Sequence, residues 1–368
     1  MLTLKTAKRT GTILVVVAAM AAGSTGAATA RDTWAGEPFP PRPDMASYVT
    51  TAASGGGATW AFGSYTRPGA PTSINAQAFR RDESGGWQET PVPNIGNIVA
   101  SAVTGPGDAW AVSSFAKVSA GGTVHWDGRA WTQVPLEVPG APRISPSDVT
   151  AIGSDVWTIG KAYRDGEDPQ QFSFAKRWDG TGWQDVPLPA AANDLSFSSV
   201  NGAAPNDLWL AGTTSQRPAQ LVAMHWDGRA WTQTPVPPVD VPATDYLTVH
   251  DVAAYSPADV WISATHAVYD EPDHSLPVLM HWDGTAWTRQ PAPVPTGGLG
   301  RLVPAEGALW NLGSEALLRY DGSSWQAVAG PPEGRLGTGT ELPDGRLLGI
   351  GSQGATDRPQ PFAAVHNR

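Results

Sequence analysis

Apolar residues in this chain fall in short runs broken by Gly, Pro, Asn and Asp, and the runs recur. Leu221-Val222-Ala223-Met224-His225-Trp226 is cut by Asp227-Gly228, and a second run resumes at Trp231. Glycine supplies the positive φ that so short a connection needs, so the pattern predicts a β-hairpin. The same unit reads HWDGRAW at 125–131, RWDGTGW at 177–183, HWDGTAW at 281–287 and RYDGSSW at 319–325, with a stretched copy, RRDESGGW, at 80–87. A second apolar column lies upstream of each hairpin: GDAWAVS at 107–113, SDVWTIG at 154–160, NDLWLAG at 206–212 and ADVWISA at 258–264. Looser copies stand at 57–63, 307–313 and 345–351. A turn and a further alternating run, such as Leu247-Thr248-Val249-His250-Asp251-Val252, precede that column. Each repeat therefore holds four strands, labelled a to d.

Self-similarity at a period of about 50 residues specifies a repeat architecture. Strand b occurs seven times, with Trp60, Trp110, Trp157, Trp209, Trp261, Trp310 and then Leu348 in one place. Strand d has six internal copies, marked by Trp87, Trp131, Trp183, Trp231, Trp287 and Trp325. The seventh is missing at the C-terminus, where Phe362 to His366 matches strand c. It reappears at the other end, because Trp34 and Pro38 repeat the spacing of Trp131 and Pro135. The expected fold is an all-β, seven-bladed β-propeller whose last blade is closed by the N-terminal strand, with about 48 residues per blade. Such closure removes the exposed edges of an open array, and an open solenoid would need capping repeats that are not visible.

Composition adds the compartment. Lys5, Lys8 and Arg9 precede an apolar run from Ile13 to Ala22 and then Ala28-Thr29-Ala30, the layout of a cleavable secretory signal. That run is shorter than the roughly 20 residues of a spanning helix. Residues 1–30 are therefore expected to be a signal peptide and 31–368 a single secreted, extracellular propeller, monomeric and without a membrane span. The chain has no Cys, so neither a disulfide framework nor a lipidated cysteine is expected. Losing those three cations takes the formal charge from −10 to −13, which argues against nucleic acid.

Columns b, c and d account for all 17 Trp, the column-c members being Trp126, Trp178, Trp226 and Trp282, and the spacing assigns them to packing between blades. His125, His225, His281 and His366 share a column with Arg177, Arg319 and Arg80 or Arg81. A place that accepts Arg is not a metal-ligand place, and hydrogen bonding to a neighbouring blade is expected.

On these motifs the chain resembles kelch repeats: strand b ends in Gly, an aromatic-Asp pair ends strand c, and Trp with a proline-bearing exit follows. It lacks their paired Gly, as Gly160-Lys161 and Gly212-Thr213 show, and the Cys of a copper-radical site. Over its whole length it is similar to secreted actinobacterial-type propellers with HWDGxxW and DVWAVG elements. That resemblance implies the fold and names no activity.

Function is expected where length varies. The b–c and d–a connections open on one face of a propeller and vary here, whereas the a–b and c–d turns are short. The candidate ligand-binding residues are Tyr163, Arg164, Asp165 and Asp168 in one loop and His266, Tyr269, Asp270 and His274 in another, with Tyr163 and Tyr269 stacking on a sugar and Asp165 and Asp270 accepting its hydroxyl protons. The acidic runs offer oxygens of the kind Ca²⁺ takes but in no fixed spacing, and no cofactor or metal is expected. No nucleophile with an adjacent base and no paired-carboxylate motif is present. The expected function is non-catalytic recognition of a cell-surface glycan or extracellular protein. The alternative is a secreted hydrolase or lyase acting on polysaccharide in the central cavity.

Overall fold

The computed structural model describes residues 33–70, 73–114, 122–165, 170–269, 271, 274–294, 296–313 and 317–367; the expected signal segment lies outside them. Among the described residues, seven four-stranded antiparallel sheets pair in the order a-b-c-d. Blades 1 to 6 span 46–90, 97–134, 143–185, 195–234, 246–290 and 301–328. Blade 7 joins Arg335–Glu341, Leu347–Gln353 and Gln360–Asn367 to Thr33–Glu37 from the start of the chain. Trp34 lies opposite His366, as the repeat spacing requires.

Packing between neighbours makes the ring. Trp209 of blade 4 shares a core cluster with Val249, Val252 and Ile262 of blade 5, and strand-b tryptophans are the largest fully buried side chains. Each meets aromatics of the next blade: Trp60 lies edge-on to Trp131 at 5.1 Å between ring centroids, and Trp209 to Trp287 at 5.4 Å. Strands that are apolar on both faces suit this sandwiched position. Trp34 is only half-buried, so the closing strand is held partly by other means.

Asp-Gly closes the c–d hairpins as expected. In blade 2 the Asp127 Oδ1 accepts the amides of Arg129 and Ala130 at 2.8 and 2.9 Å, and Gly128 has φ of 92°. These amide bonds hold the exposed Asp127 carboxyl below its ordinary pKa.

The glycine ending strand b has a cause in strand a. In six of the seven inner strands the register slips by one residue, as at Pro146/Asp148, Phe197/Ser199 and Val249/Asp251. The bulge pushes backbone against strand b, so a Cβ on Gly212 would stand 2.0 Å from the Ser196 carbonyl oxygen. Bulges also re-aim the next side chain. Thr51, Asp148, Ser199, Asp251 and Thr338 follow the slip in their blades, and all are buried.

One expectation is corrected. His125, His225 and His281 bond within their own blades, to Asp108, Asp207 and Asp259 at 2.8, 2.7 and 2.9 Å. Each imidazole packs against the strand-b Trp two residues beyond that Asp, at 4.2 to 4.5 Å between centroids. Arg177 repeats the arrangement with Asp155 at 2.8 Å. His366 alone of the four reaches a neighbouring blade, at Glu306. In blades 2 to 5 the Asp before the strand-b Trp is thus the partner of the His or Arg column.

Candidate functional site

On the face carrying the variable connections, blades 4 and 5 present an aromatic platform. Tyr246 begins strand a of blade 5 and Tyr269 follows strand b of that blade. Their rings lie 6.2 Å apart at 36°, and the residues are 46% and 62% exposed. They are the two most exposed large hydrophobic residues among those described, and they adjoin, which makes a patch rather than a scattered residue. Arg217 of blade 4 stacks over Tyr246 at 4.3 Å, while its guanidinium donates to the carbonyls of Ala243, Thr244 and Asp245 at 3.0 to 3.3 Å.

Beneath the platform, His266 and Asp245 pair at 2.7 Å with both side chains 8% exposed. Asp245 also accepts from the Tyr269 amide at 3.4 Å, so one buried pair joins the two loops that carry the tyrosines. The His266 bond holds the Asp245 carboxyl below its ordinary pKa. His266 is therefore a strand-end residue supporting the platform from below. Glu271 and His274, both largely exposed, pair with each other at 3.1 Å.

The other candidate loop is arranged differently. Tyr163 and Arg164 lie in strand b of blade 3, and Tyr163 is half-buried with Arg143 over its ring at 5.5 Å. Arg143 also holds Asp165 at 2.8 Å, and Arg164 stacks on Phe172 at 4.5 Å. Asp168 and Asp270 lie outside the described residues. The structure thus brings Tyr269 together with Tyr246 and Arg217, which the sequence reading missed, while Tyr163 sits under its own arginine. The signal available was an exposed aromatic at the first position of an inner strand.

A second constellation, invisible as a motif, lies on the axis. A cavity of about 140 Å³ is lined by strand a of every blade, including Thr51, Ser101, Asp148, Asp251, Arg301 and Thr338. Ser199 Oγ stands 2.9 Å from Asp148 and 2.7 Å from Asp251. Each carboxylate accepts a main-chain amide of the following blade, Val200 for Asp148 and Leu302 for Asp251, both at 2.9 Å. Arg301 lies 3.8 Å from Asp148 and 3.5 Å from Asp251. Burial raises the Asp148 carboxyl to about 6 against the pull of Arg301, and Asp251 is raised for the same reason. The neighbouring His250 is lowered to about 4 by burial and donates to or accepts from Thr265 at 2.8 Å.

No group of three acidic or histidine side chains able to hold a metal is present among the described residues, and no helix there is long and apolar enough to cross a membrane. No protein-family model and no curated protein matches the chain. Solved structures do. YCF48 bound to the D1 peptide is similar with a TM-score of 0.55 and 15% identity over 93% of this chain and 99% of its own. A polysaccharide lyase, an ulvan lyase bound to a GlcA–Rha3S saccharide, gives 0.54 and 10% over 92% and 96%. A xyloglucanase from Xanthomonas campestris gives 0.53 and 14% over 90% of this chain and 55% of its own. At such identities these likenesses establish the fold, a seven-bladed β-propeller.

Proposed function

We propose that the protein is an exported recognition module that holds a cell-surface glycan on its variable face, with Tyr269 and Tyr246 as stacking rings. The observation that carries this reading is the exposed tyrosine pair over a buried His266–Asp245 pair: two apolar rings held open to solvent by a rigid support. A sugar ring has an apolar face for such rings and hydroxyls for nearby polar groups, and a preformed support limits the ordering cost of binding. The scaffold itself does not choose the ligand, since similar propellers include a peptide-bound protein and enzymes of polysaccharides.

The axial carboxylates are read as structural rather than catalytic. Each is occupied by main-chain amides and Ser199, and about 140 Å³ is below the roughly 300 Å³ at which ligand pockets begin.

The test is retention on immobilised bacterial cell-wall polysaccharide, comparing the wild type with Tyr246→Ala/Tyr269→Ala at matched thermal midpoint. At least tenfold weaker retention of the variant is expected, about 1.4 kcal/mol. Equal retention removes this face, and retention of neither protein points to a peptide or protein ligand. Export forms part of the same reading. The intact mass of protein from culture fluid should begin at Arg31, and a mass that includes residues 1–30 would contradict it.

A further inference from the structure

The opposite face carries a groove that the tryptophan pattern alone assigns to packing. It measures about 730 Å³ and runs between blades 3 and 4 from the short turns toward the outer strand of blade 3. Trp178 and Trp226 form its walls, leaning on Trp110 and Trp157 at 4.8 and 5.5 Å. Their equivalents in blades 2 and 5, Trp126 and Trp282, donate their indole N–H groups to the carbonyls of Pro106 and Pro257 at 3.1 Å. Trp178 and Trp226 have no such acceptor among the described residues, and neither is among the indole nitrogens sealed from solvent. Clefts of about 590 and 570 Å³ beside blade 7 have no Trp or Tyr in their walls.

Blade 3 departs from blades 2, 4 and 5 at the positions that build this groove, while blades 1 and 6 share its Arg and Gln as Arg80 with Gln88 and Arg319 with Gln326. Arg177 stands where blades 2, 4 and 5 have His125, His225 and His281, and Gln184 where they have Thr132, Thr232 and Thr288. Asp185 stands where blades 2 and 4 have Gln133 and Gln233. Beneath it, Lys176 replaces Val124, Met224 and Met280, and it is 3% exposed. A lysine buried in an apolar column is tolerated only with a partner, and Asp185 supplies it at 2.7 Å while remaining 53% exposed at the rim. Asp155 fixes Arg177 at 2.8 Å, with Arg177 48% exposed and its guanidinium over the Trp157 ring at 5.8 Å.

Arg177 and Lys176 are paired with Asp155 and Asp185, and Asp108 and Asp179 add further carboxylates to the lining, which disfavours an anionic ligand. Gln184 gives one amide N–H to Asp179 at 2.9 Å, so the open donors are two indole N–H groups, the outer face of Arg177 and the second N–H of that amide, beside carboxylate acceptors and flat apolar walls. Hydroxyls that both donate and accept, on a ring with an apolar face, match that set, and 730 Å³ lies within the size range of small-molecule sites. We propose that this groove is a second binding site, for a neutral saccharide, independent of the tyrosine platform.

The test uses the methyl glycosides of glucose, galactose, mannose and N-acetylglucosamine with the full chain, read by saturation-transfer NMR and tryptophan fluorescence. Arg177→His/Gln184→Thr gives blade 3 the residues of blades 2, 4 and 5 and leaves both ion pairs possible. Gln184→Thr alone reads the same rim if the double variant is less stable. At least one glycoside is expected to bind and to quench fluorescence, with at least fivefold weaker affinity in the double variant and unchanged affinity in Tyr246→Ala/Tyr269→Ala. Binding by none of the four, or equal affinity in the wild type and the groove variants, overturns the proposal. Loss confined to the tyrosine variant assigns the sugar to the other face.

Discussion

A chain that begins at Pro38 is expected to be less stable than the chain with Thr33–Glu37 by on the order of 5 kcal/mol, summed from two contributions. Glu37 is the larger. Its carboxylate receives Arg81 of blade 1 at 2.8 and 2.5 Å, and each side chain is 13% exposed. Breaking a buried pair from one side costs about 3 to 5 kcal/mol, and the nearby Asp82 and Asp344 place Arg81 at the low end. Trp34 contributes the rest, about 2 kcal/mol for a half-buried indole. It lies edge-on to His366 at 4.9 Å and donates to the Ala329 carbonyl of blade 6 at 2.9 Å. Deletion also bares the edge of Gln360–Asn367, so association of the truncated chain should accompany the loss. Urea unfolding of the truncation, with Glu37→Gln and Trp34→Ala beside it, separates the two contributions. A truncated chain with an unchanged midpoint would show that the first strand is dispensable and the ring is closed by other contacts.

The blades were legible because the same demands recur seven times. Strand b needs a residue such as Trp209 to fill the space between sheets, and Gly228 needs positive φ, so both appear at fixed spacing. Even the closing strand could be read, from Trp34 and Pro38. The His column was misread because its partner was sought across the ring. His225 is the cross-strand neighbour of Trp209, and Asp207 is two residues before that Trp, so the bond lies within one sheet. The sequence carried that coupling in one direction: His125, His225 and His281 all stand with an Asp, and where Ala58 and Ala308 replace it the place holds Arg80 and Arg319, while Arg177 keeps Asp155.

The sites were less legible, for two physical reasons. Tyr246, Tyr269 and Arg217 come from three separate connections and meet only after blades 4 and 5 are stacked. Asp148, Ser199, Asp251 and Arg301 are about one blade apart along the chain, and no local motif links them. A register slip in strand a turns the first three inward, and only the closed ring brings Arg301 to both carboxylates.

That axial set makes the other large prediction. Arg301→Met should cost about 3 kcal/mol at pH 7, the lower end for breaking a buried pair, because 27% of the arginine side chain is wetted by the cavity. The loss should depend on pH in a way that a packing defect would not. Asp148 already has a folded-state pKa near 6, above its ordinary value, so the folded chain holds that proton more tightly than the unfolded one. Its charged form costs stability above about 6, and the cost is relieved as pH falls toward 4. Without the arginine both carboxylates rise further, so the deficit of Arg301→Met should shrink steadily on acidification. His250, lowered to about 4, acts in the opposite sense: it favours the folded state above its ordinary pKa and loses that contribution as pH falls toward 4. Arg301 contributes to that lowering, so its removal eases His250 as well, and the imidazole and the carboxylates both make the deficit shrink as pH falls. Asp148→Asn/Arg301→Met should recover part of the loss at pH 7, since one buried charge is removed while an amide oxygen can still accept from Val200 and Ser199. Urea midpoints of the three proteins at pH 7.5, 6 and 5 test this. A deficit of equal size at every pH, or no recovery in the double variant, would mean that Arg301 stabilises the ring by packing rather than by charge.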